Sequence, residues 1–259
     1  MNREILINDF AIRSFRDIAD CDYIAARMAY RAQLIPQFLW SSLQAIEKYL
    51  KCILLLNRIK AKNLRHDLGA ALSLIDKQAP FKLRLSESSH KLIDHLDTYG
   101  RFRYLETPFH VMGLELPRLD LAVWEIRRYC NVLNYELSWG KGEPIPMFEI
   151  ELKKIKNSEN RPPQRFSLIG GTIEKIIGNA KHPARKALIW QNFYFGVKPR
   201  KKVRLRQLMH ATNSPLSLHP EILDDVLKYV FLPKDVIAAY RAELTQRSKG
   251  RDTSDAPSI

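Results

Sequence analysis

Arg103 and His110, with six residues between them, are the residue types that phosphodiester chemistry needs. A guanidinium holds a phosphate, or the charge of its transition state, through a planar fork of donors. An imidazole moves a proton near neutral pH. Arg101 adds a second cation beside the pair. The stretch falls between two helix-like segments, where a fold could fix both groups. The same residues would also serve a plain connector, with Arg103 paired to a carboxylate and His110 capping a helix.

A second signal lies further along the chain. The 46 residues between Glu174 and Glu221 contain no Asp or Glu and ten Lys or Arg. Within this run Lys181, Arg185, Lys186, Lys198, Arg200, Lys201, Lys202, Arg204 and Arg206 are interleaved with Trp190 and Tyr194. Cations can follow a phosphate backbone while aromatic rings stack on bases, so these residues and Arg101 are candidate RNA contacts. The alternative is a solvated basic face with its aromatic residues in a core. The charge is unevenly distributed. Residues 1–150 hold 21 basic and 18 acidic residues, and residues 151–259 hold 21 and 10, which together give the net +14. A polyanion is the natural partner of the second half.

Other chemistries leave no mark. Cys21, Cys52 and Cys130 are far apart, with no CxxC and no Cys/His spacing for zinc, so neither a disulfide framework nor a structural metal is expected. No phosphate loop, GxSxG or HExxH is present, and no cofactor is expected. No apolar run is long enough for a signal peptide or a membrane-spanning helix, so no membrane association is expected. A reducing, cytoplasmic setting suits this cysteine usage.

The elements that must position these residues are mostly helical. Ala11 to Leu34 reads as a helix. A second opens at Pro36, with Leu39, Leu43, Ile46, Leu50, Ile53 and Leu54 along one face. A third opens at His66-Asp67-Leu68, and a fourth runs from about Ser86 to Arg103. A long fifth helix starts near Pro117, with a stripe from Leu119 to Leu137. Gly140, Gly142, Pro144 and Pro146 mark a boundary. Beyond it, Phe148, Ile150 and Leu152 alternate with charged residues as in a short strand. Helices are expected after Thr172, after Pro183, near Ser217 and after Pro233. The expectation is a mainly α protein in three parts. Residues 1–140 form an antiparallel helical bundle, 147–244 a smaller, basic, mostly α-helical module with one short strand, and 245–259 a polar, disordered tail.

The bundle resembles a HEPN domain. The matching residues are Glu47, Lys48, Leu50 and Lys51 on the second helix, His66-Asp67-Leu68 opening the third, and Arg103-Tyr104 after the fourth. The resemblance covers about 1–140. It implies an Arg/His site at Arg103 and His110, shared across a homodimer, that cleaves RNA without a metal. It also implies toxin–antitoxin or antiviral-defence biology. Two features depart from the nuclease pattern. Tyr104 stands where nuclease members carry a small polar residue, and His110 precedes the last helix of the bundle. Arg-Tyr also resembles the subgroup that partners nucleotidyltransferases. Two alternatives therefore stay open: a non-catalytic subunit binding a nucleotidyltransferase or another protein, or a plain nucleic-acid-binding protein. The partners implied are RNA, a second copy of the chain, and an antitoxin or a nucleotidyltransferase. His66 reads as a helix-start residue, and Trp40, Tyr49 and Trp124 as core or dimer contacts.

Overall fold

The computed structural model describes residues 2–62, 64, 66–100, 106–138, 140, 142–159, 161–162, 166–204 and 209–252, with side chains to 247. It is mainly helical, as expected. The chain separates into two compact units. One comprises 1–101 with 113–207, the other 102–112 with 208–259.

The first unit is built around one helix. α1 (Arg3–Phe10) runs through a π-helical stretch, Ala11–Arg16, into α2 (Asp17–Arg31). A tight turn leads to α3 (Ile35–Leu56), which opens with Pro36 in its first turn. The apolar stripe expected on this helix is present, and burial extends well beyond it. Phe38, Leu43, Ala45, Ile46, Leu50 and Ile53 have essentially no exposure. A helix buried over so much of its surface needs cover on several sides. α2, α4 (Leu68–Gln78), α5 (Glu87–Tyr99) and α6 (Glu115–Arg127) all pack on it. α5 ends at Gly100, where an added Cβ would sit 2.8 Å from the Leu96 carbonyl oxygen and 3.2 Å from that of Leu39. A residue without a side chain is required for this close approach to α3.

Beyond α6 the structure departs from the sequence expectations. α6 stops at Arg127, although the apolar stripe continues. Cys130 and Leu133 are still buried, but in non-helical backbone, and Glu136–Leu137 (β2) pairs with Ile145–Pro146 (β3). The strand expected over 148–153 is instead the helix α7 (Phe148–Ser158). Its buried positions are Glu151, Ile155 and Ser158, at helical spacing. Glu151 is tolerated there because the Tyr135 hydroxyl (3.1 Å) and Lys154 Nζ (2.6 Å) donate to its carboxylate. α8 (Thr172–Gly178) and α9 (Arg185–Ile189) complete the unit. The boundary expected at 140–146 therefore falls inside this unit. Its physical reason is the reach of Arg127 and Arg128, which bind α8 and α7 back to the bundle.

The second unit joins residues far apart in sequence. β1 (Phe109–Met112) pairs antiparallel with β4 (Met209–Thr212), with Phe109 opposite Thr212 and Met112 opposite Met209. Short helices α10 (Pro215–Leu218) and α11 (Leu223–Val226) follow, joined by a 3₁₀ turn, and then α12 (Lys234–Asp252). Leu216, Leu223, Leu232, Val236 and Tyr240 form its core. The Ser214 and Tyr240 hydroxyls donate to the Glu106 carbonyl at 3.1 and 2.7 Å, fixing the approach to β1. The tail expected from 245 is helical as far as Asp252, and 253–259 lie outside the described residues.

Candidate active site and nucleic-acid interface

Glu47 and Lys51 of α3 and the His66-Asp67-Leu68 run meet where α3, α4 and α5 come together. Glu47, on the buried face of α3, accepts from Lys51 Nζ at 2.5 Å and lies 2.7 Å from His66 Nδ1. The Trp40 ring meets the His66 ring edge-on, with centroids 5.8 Å apart. Asp67 caps α4 by accepting from the Ala70 amide at 2.7 Å. Asp97 of α5 accepts from the Leu68 and Gly69 amides, both at 3.0 Å. Two carboxylates thus satisfy the first turn of α4 and oppose its dipole. The arrangement clamps three helices and places His66 just ahead of α4, as expected for a helix-start residue.

Of the Arg–His pair, Arg103 lies outside the described residues, as do Arg101 and Arg206. His110 lies on β1, in the second unit and not on a bundle helix. Its strand neighbours Phe109 and Val111 turn towards the core side, with Val111 fully buried, while His110 is exposed beside Met112 and Met209. Within the expected connector, Phe109 and His110 begin the strand β1, while 103–105 lie outside the described residues.

The basic run divides into an inward and an outward part. Lys181, Lys186, Lys198, Arg200, Lys201, Lys202 and Arg204 are exposed. Among the described residues none of them has a carboxylate within ion-pair distance. Arg185 turns inward and donates to the Ile177 carbonyl at 2.9 Å. Trp190 is partly exposed, and one face is covered by the guanidinium of Arg31, 5.1 Å from the ring centroid. Tyr194 leans on Trp124, with centroids 6.2 Å apart, and Phe195 is buried against Tyr23 and Trp124. The aromatics of the run thus anchor it, while most of its cations face water.

What holds the run in place is a buried polar network. α2 presents Asp20, Tyr23 and Arg27, all fully buried, along one face. Arg127 donates from Nε to Asp20 Oδ1 at 2.7 Å and from Nη2 to Asp20 Oδ2 at 2.8 Å. It also forks onto Glu174 of α8, at 2.8 and 2.6 Å. Tyr49 of α3 donates to Asp20 at 2.6 Å. Arg27 pairs with Asp120 and donates to the carbonyls of Ala187 and Trp190. The Tyr23 hydroxyl donates to Asp120 at 2.6 Å and accepts from Asn192 at 2.8 Å. Arg128 donates to the Ile155 carbonyl at 2.8 Å and to Ser158 Oγ at 3.1 Å, closing the C-terminal end of α7. Burial alone would lower the pKa of Arg127, but Asp20 and Glu174 hold it well above the ordinary arginine value. Burial would raise Glu174, and the hydrogen bonds and charge of Arg127 outweigh it, leaving Glu174 below the usual carboxylate range.

Sequence reasoning passed over these residues. A signal was available: Asp20, Tyr23 and Arg27 share a helix face within an otherwise apolar pattern, and polar groups on a core face need partners.

No family model, no curated protein and no solved structure matches the chain. Among the described residues no group of three or more His, Cys, Asp or Glu is placed to hold a metal ion. Nor is any described helix long and apolar enough to cross a membrane.

Proposed function

We propose that this protein binds RNA through its exposed basic segment and cleaves it as a metal-independent endoribonuclease of HEPN type. The observation that carries the reading is the outward-facing set from Lys181 to Arg204: seven exposed cations in a run without a single acid. Such a set attracts phosphates and gains affinity by releasing their counterions. The catalytic part rests on the HEPN resemblance and on the exposure of His110. In this mechanism the 2′-oxygen attacks the adjacent phosphorus while His110 takes its proton. Arg103 holds the charge on the phosphorane, and the bond to the 5′-oxygen breaks as that oxygen is protonated. The products are a 2′,3′-cyclic phosphate and a 5′-hydroxyl. A homodimer supplies a second Arg–His pair to the cleft, and a toxin or defence role in the cytoplasm follows from the resemblance.

The test is RNA cleavage by the wild type, His110→Ala and Arg103→Ala, in the presence of EDTA. The wild type is expected to cut RNA and spare DNA, which lacks the nucleophile. Each variant is expected to lose cleavage, and His110→Ala to keep RNA binding, because a proton carrier acts mainly in the transition state. Sedimentation is expected to give twice the chain mass. Wild-type rates in His110→Ala, or inhibition by EDTA, would sink the mechanism.

A second reading is favoured by two observations. His110 lies on a β-ribbon, five residues ahead of the first residue of α6, and Tyr104 follows Arg103. Both departures suit a non-catalytic HEPN subunit that binds a nucleotidyltransferase or another protein. Failure of the wild type to cut any RNA offered, including that of its host, puts this reading in place of the first.

A further inference from the structure

A concave site of about 710 Å³ opens on the first unit between α1, the π-helical stretch, the end of α3 and the residues that follow it. Its floor is Leu6, Ile7, Phe10, Phe15, Leu55 and Ile59. Among the described residues its rim carries five cations, Arg3, Lys51, Arg58, Lys60 and Lys62, and no carboxylate. Two of the five are already balanced, Lys51 by Glu47 and Arg58 by Glu4. Among the described residues Arg3, Lys60 and Lys62 have no carboxylate within ion-pair distance. Arg58 is fixed in place. Its φ of 58° is left-handed, and its side chain donates to the Leu55 carbonyl at 2.8 Å and to Asn8 at 2.9 Å as well as to Glu4. The rim therefore holds a net positive field over an oily floor.

We propose that this is a binding site for a single-chain anionic amphiphile, an acyl chain ending in a carboxylate. Three observations select that class. The floor offers no polar side chain, so a nucleotide base buried there would leave its edges unpaired, whereas an acyl chain has none to satisfy. The net charge at the mouth is positive, which selects an anionic head over a neutral or cationic one. The volume falls within the roughly 300–1,000 Å³ of sites that hold small ligands, while a docked helix needs a groove along several of its turns. Phe10 and Phe15 meet edge-to-face, with centroids 5.9 Å apart, and so shape the floor before any ligand arrives. Phe10 is 56% exposed and Leu6 48%, an apolar surface that an acyl chain would remove from water. The site shares no residue with the Arg–His pair or the basic run, so it stands or falls apart from RNA cleavage.

The experiment is calorimetric titration of the full chain with dodecanoate, below its micelle concentration, alongside dodecanol, dodecyltrimethylammonium and a synthetic acidic amphipathic peptide. Dodecanoate is expected to bind saturably, one per chain. Dodecanol is expected to bind at least about tenfold more weakly, and the cationic amphiphile not at all. Lys60→Glu with Lys62→Glu is expected to weaken dodecanoate about tenfold or more without changing the melting temperature, since both side chains are exposed. Phe10→Asp, at a half-exposed position, is expected to do the same. Absence of saturable dodecanoate binding overturns the proposal. So does equal affinity for dodecanoate and dodecanol, or affinity unchanged in the Lys60/Lys62 variant. Binding of the peptide without dodecanoate overturns it in favour of a protein-docking groove.

Discussion

Arg127 is the residue through which the buried polar network ties α8 to α2. It offers a guanidinium with almost no exposure to two carboxylates on different elements, Asp20 of α2 and Glu174 of α8. Removing the cation strands Asp20, which is fully buried and, among the described residues, would keep the Tyr49 hydroxyl and the Ile173 amide as donors. Arg127→Met is therefore expected to cost about 3–5 kcal/mol in denaturant unfolding. Adding Asp20→Asn and Glu174→Gln removes the stranded charges, and the triple variant is expected to recover part of that loss. An Arg127→Met protein as stable as the wild type would mean that the network contributes geometry but no stability. Glu174 also sets a pH dependence. A carboxyl held below its unfolded pKa stabilises the fold fully above that unfolded value, and the contribution is lost as pH falls through the folded value. Glu174→Gln is accordingly expected to destabilise most near neutral pH, with the gap to wild type closing in acid below the ordinary carboxylate range. A gap that stays constant with pH would assign the loss to packing.

At the scale of elements, the α3–α5 contact depends on Gly100. An alanine Cβ there would meet two backbone oxygens, which cannot swing aside as a flexible side chain would. Gly100→Ala is expected to lower stability by about 1–3 kcal/mol through displacement of α5 against α3, read as a fall in melting temperature. An unchanged melting temperature would show that α5 tolerates the shift. Elements such as α3 were legible in the sequence because one apolar stripe, an early proline and a long uninterrupted run all agree. α7 was not, because its core-facing positions include Glu151 and Ser158 while exposed Ile150 feigns a strand alternation. α6 was read too long because Cys130 and Leu133 stay buried after the helix has ended. β1 and β4 could not be paired from the sequence, since the two strands lie about a hundred residues apart and each is only four residues long. The candidate residues were legible as residue types alone; the structure adds that most of the described cations of the basic run are exposed. The support beneath it left only the signal of polar groups on an apolar helix face, because each such residue reads as a surface residue until its partner is seen.

Over the whole molecule, residues 174–192 of the basic run are not a detachable attachment. Glu174 and the carbonyls of Ala187 and Trp190 are partners of guanidiniums buried in the bundle, and Asn192 is a partner of Tyr23. A fragment ending at residue 146 would leave Arg27 and Arg127 short of acceptors and would remove Tyr194 and Phe195 from beside Trp124. That fragment is expected to lose cooperative unfolding, so deletion is a poor test of where RNA binds. Surface substitution separates the two questions, because the outward cations take no part in the network. Replacing Lys198, Arg200, Lys201, Lys202 and Arg204 by Ala removes five positive charges at exposed positions, where substitutions usually shift stability by about 0.5 kcal/mol or less. If these residues neutralise phosphates, RNA affinity falls. The slope of log affinity against log salt then flattens by up to about 3.5, at roughly 0.7 per phosphate contact for a single strand. The melting temperature should stay near that of the wild type in the same protein. A slope that stays steep in the substituted protein would place RNA elsewhere, and the long acid-free run would then be a solvated face serving solubility.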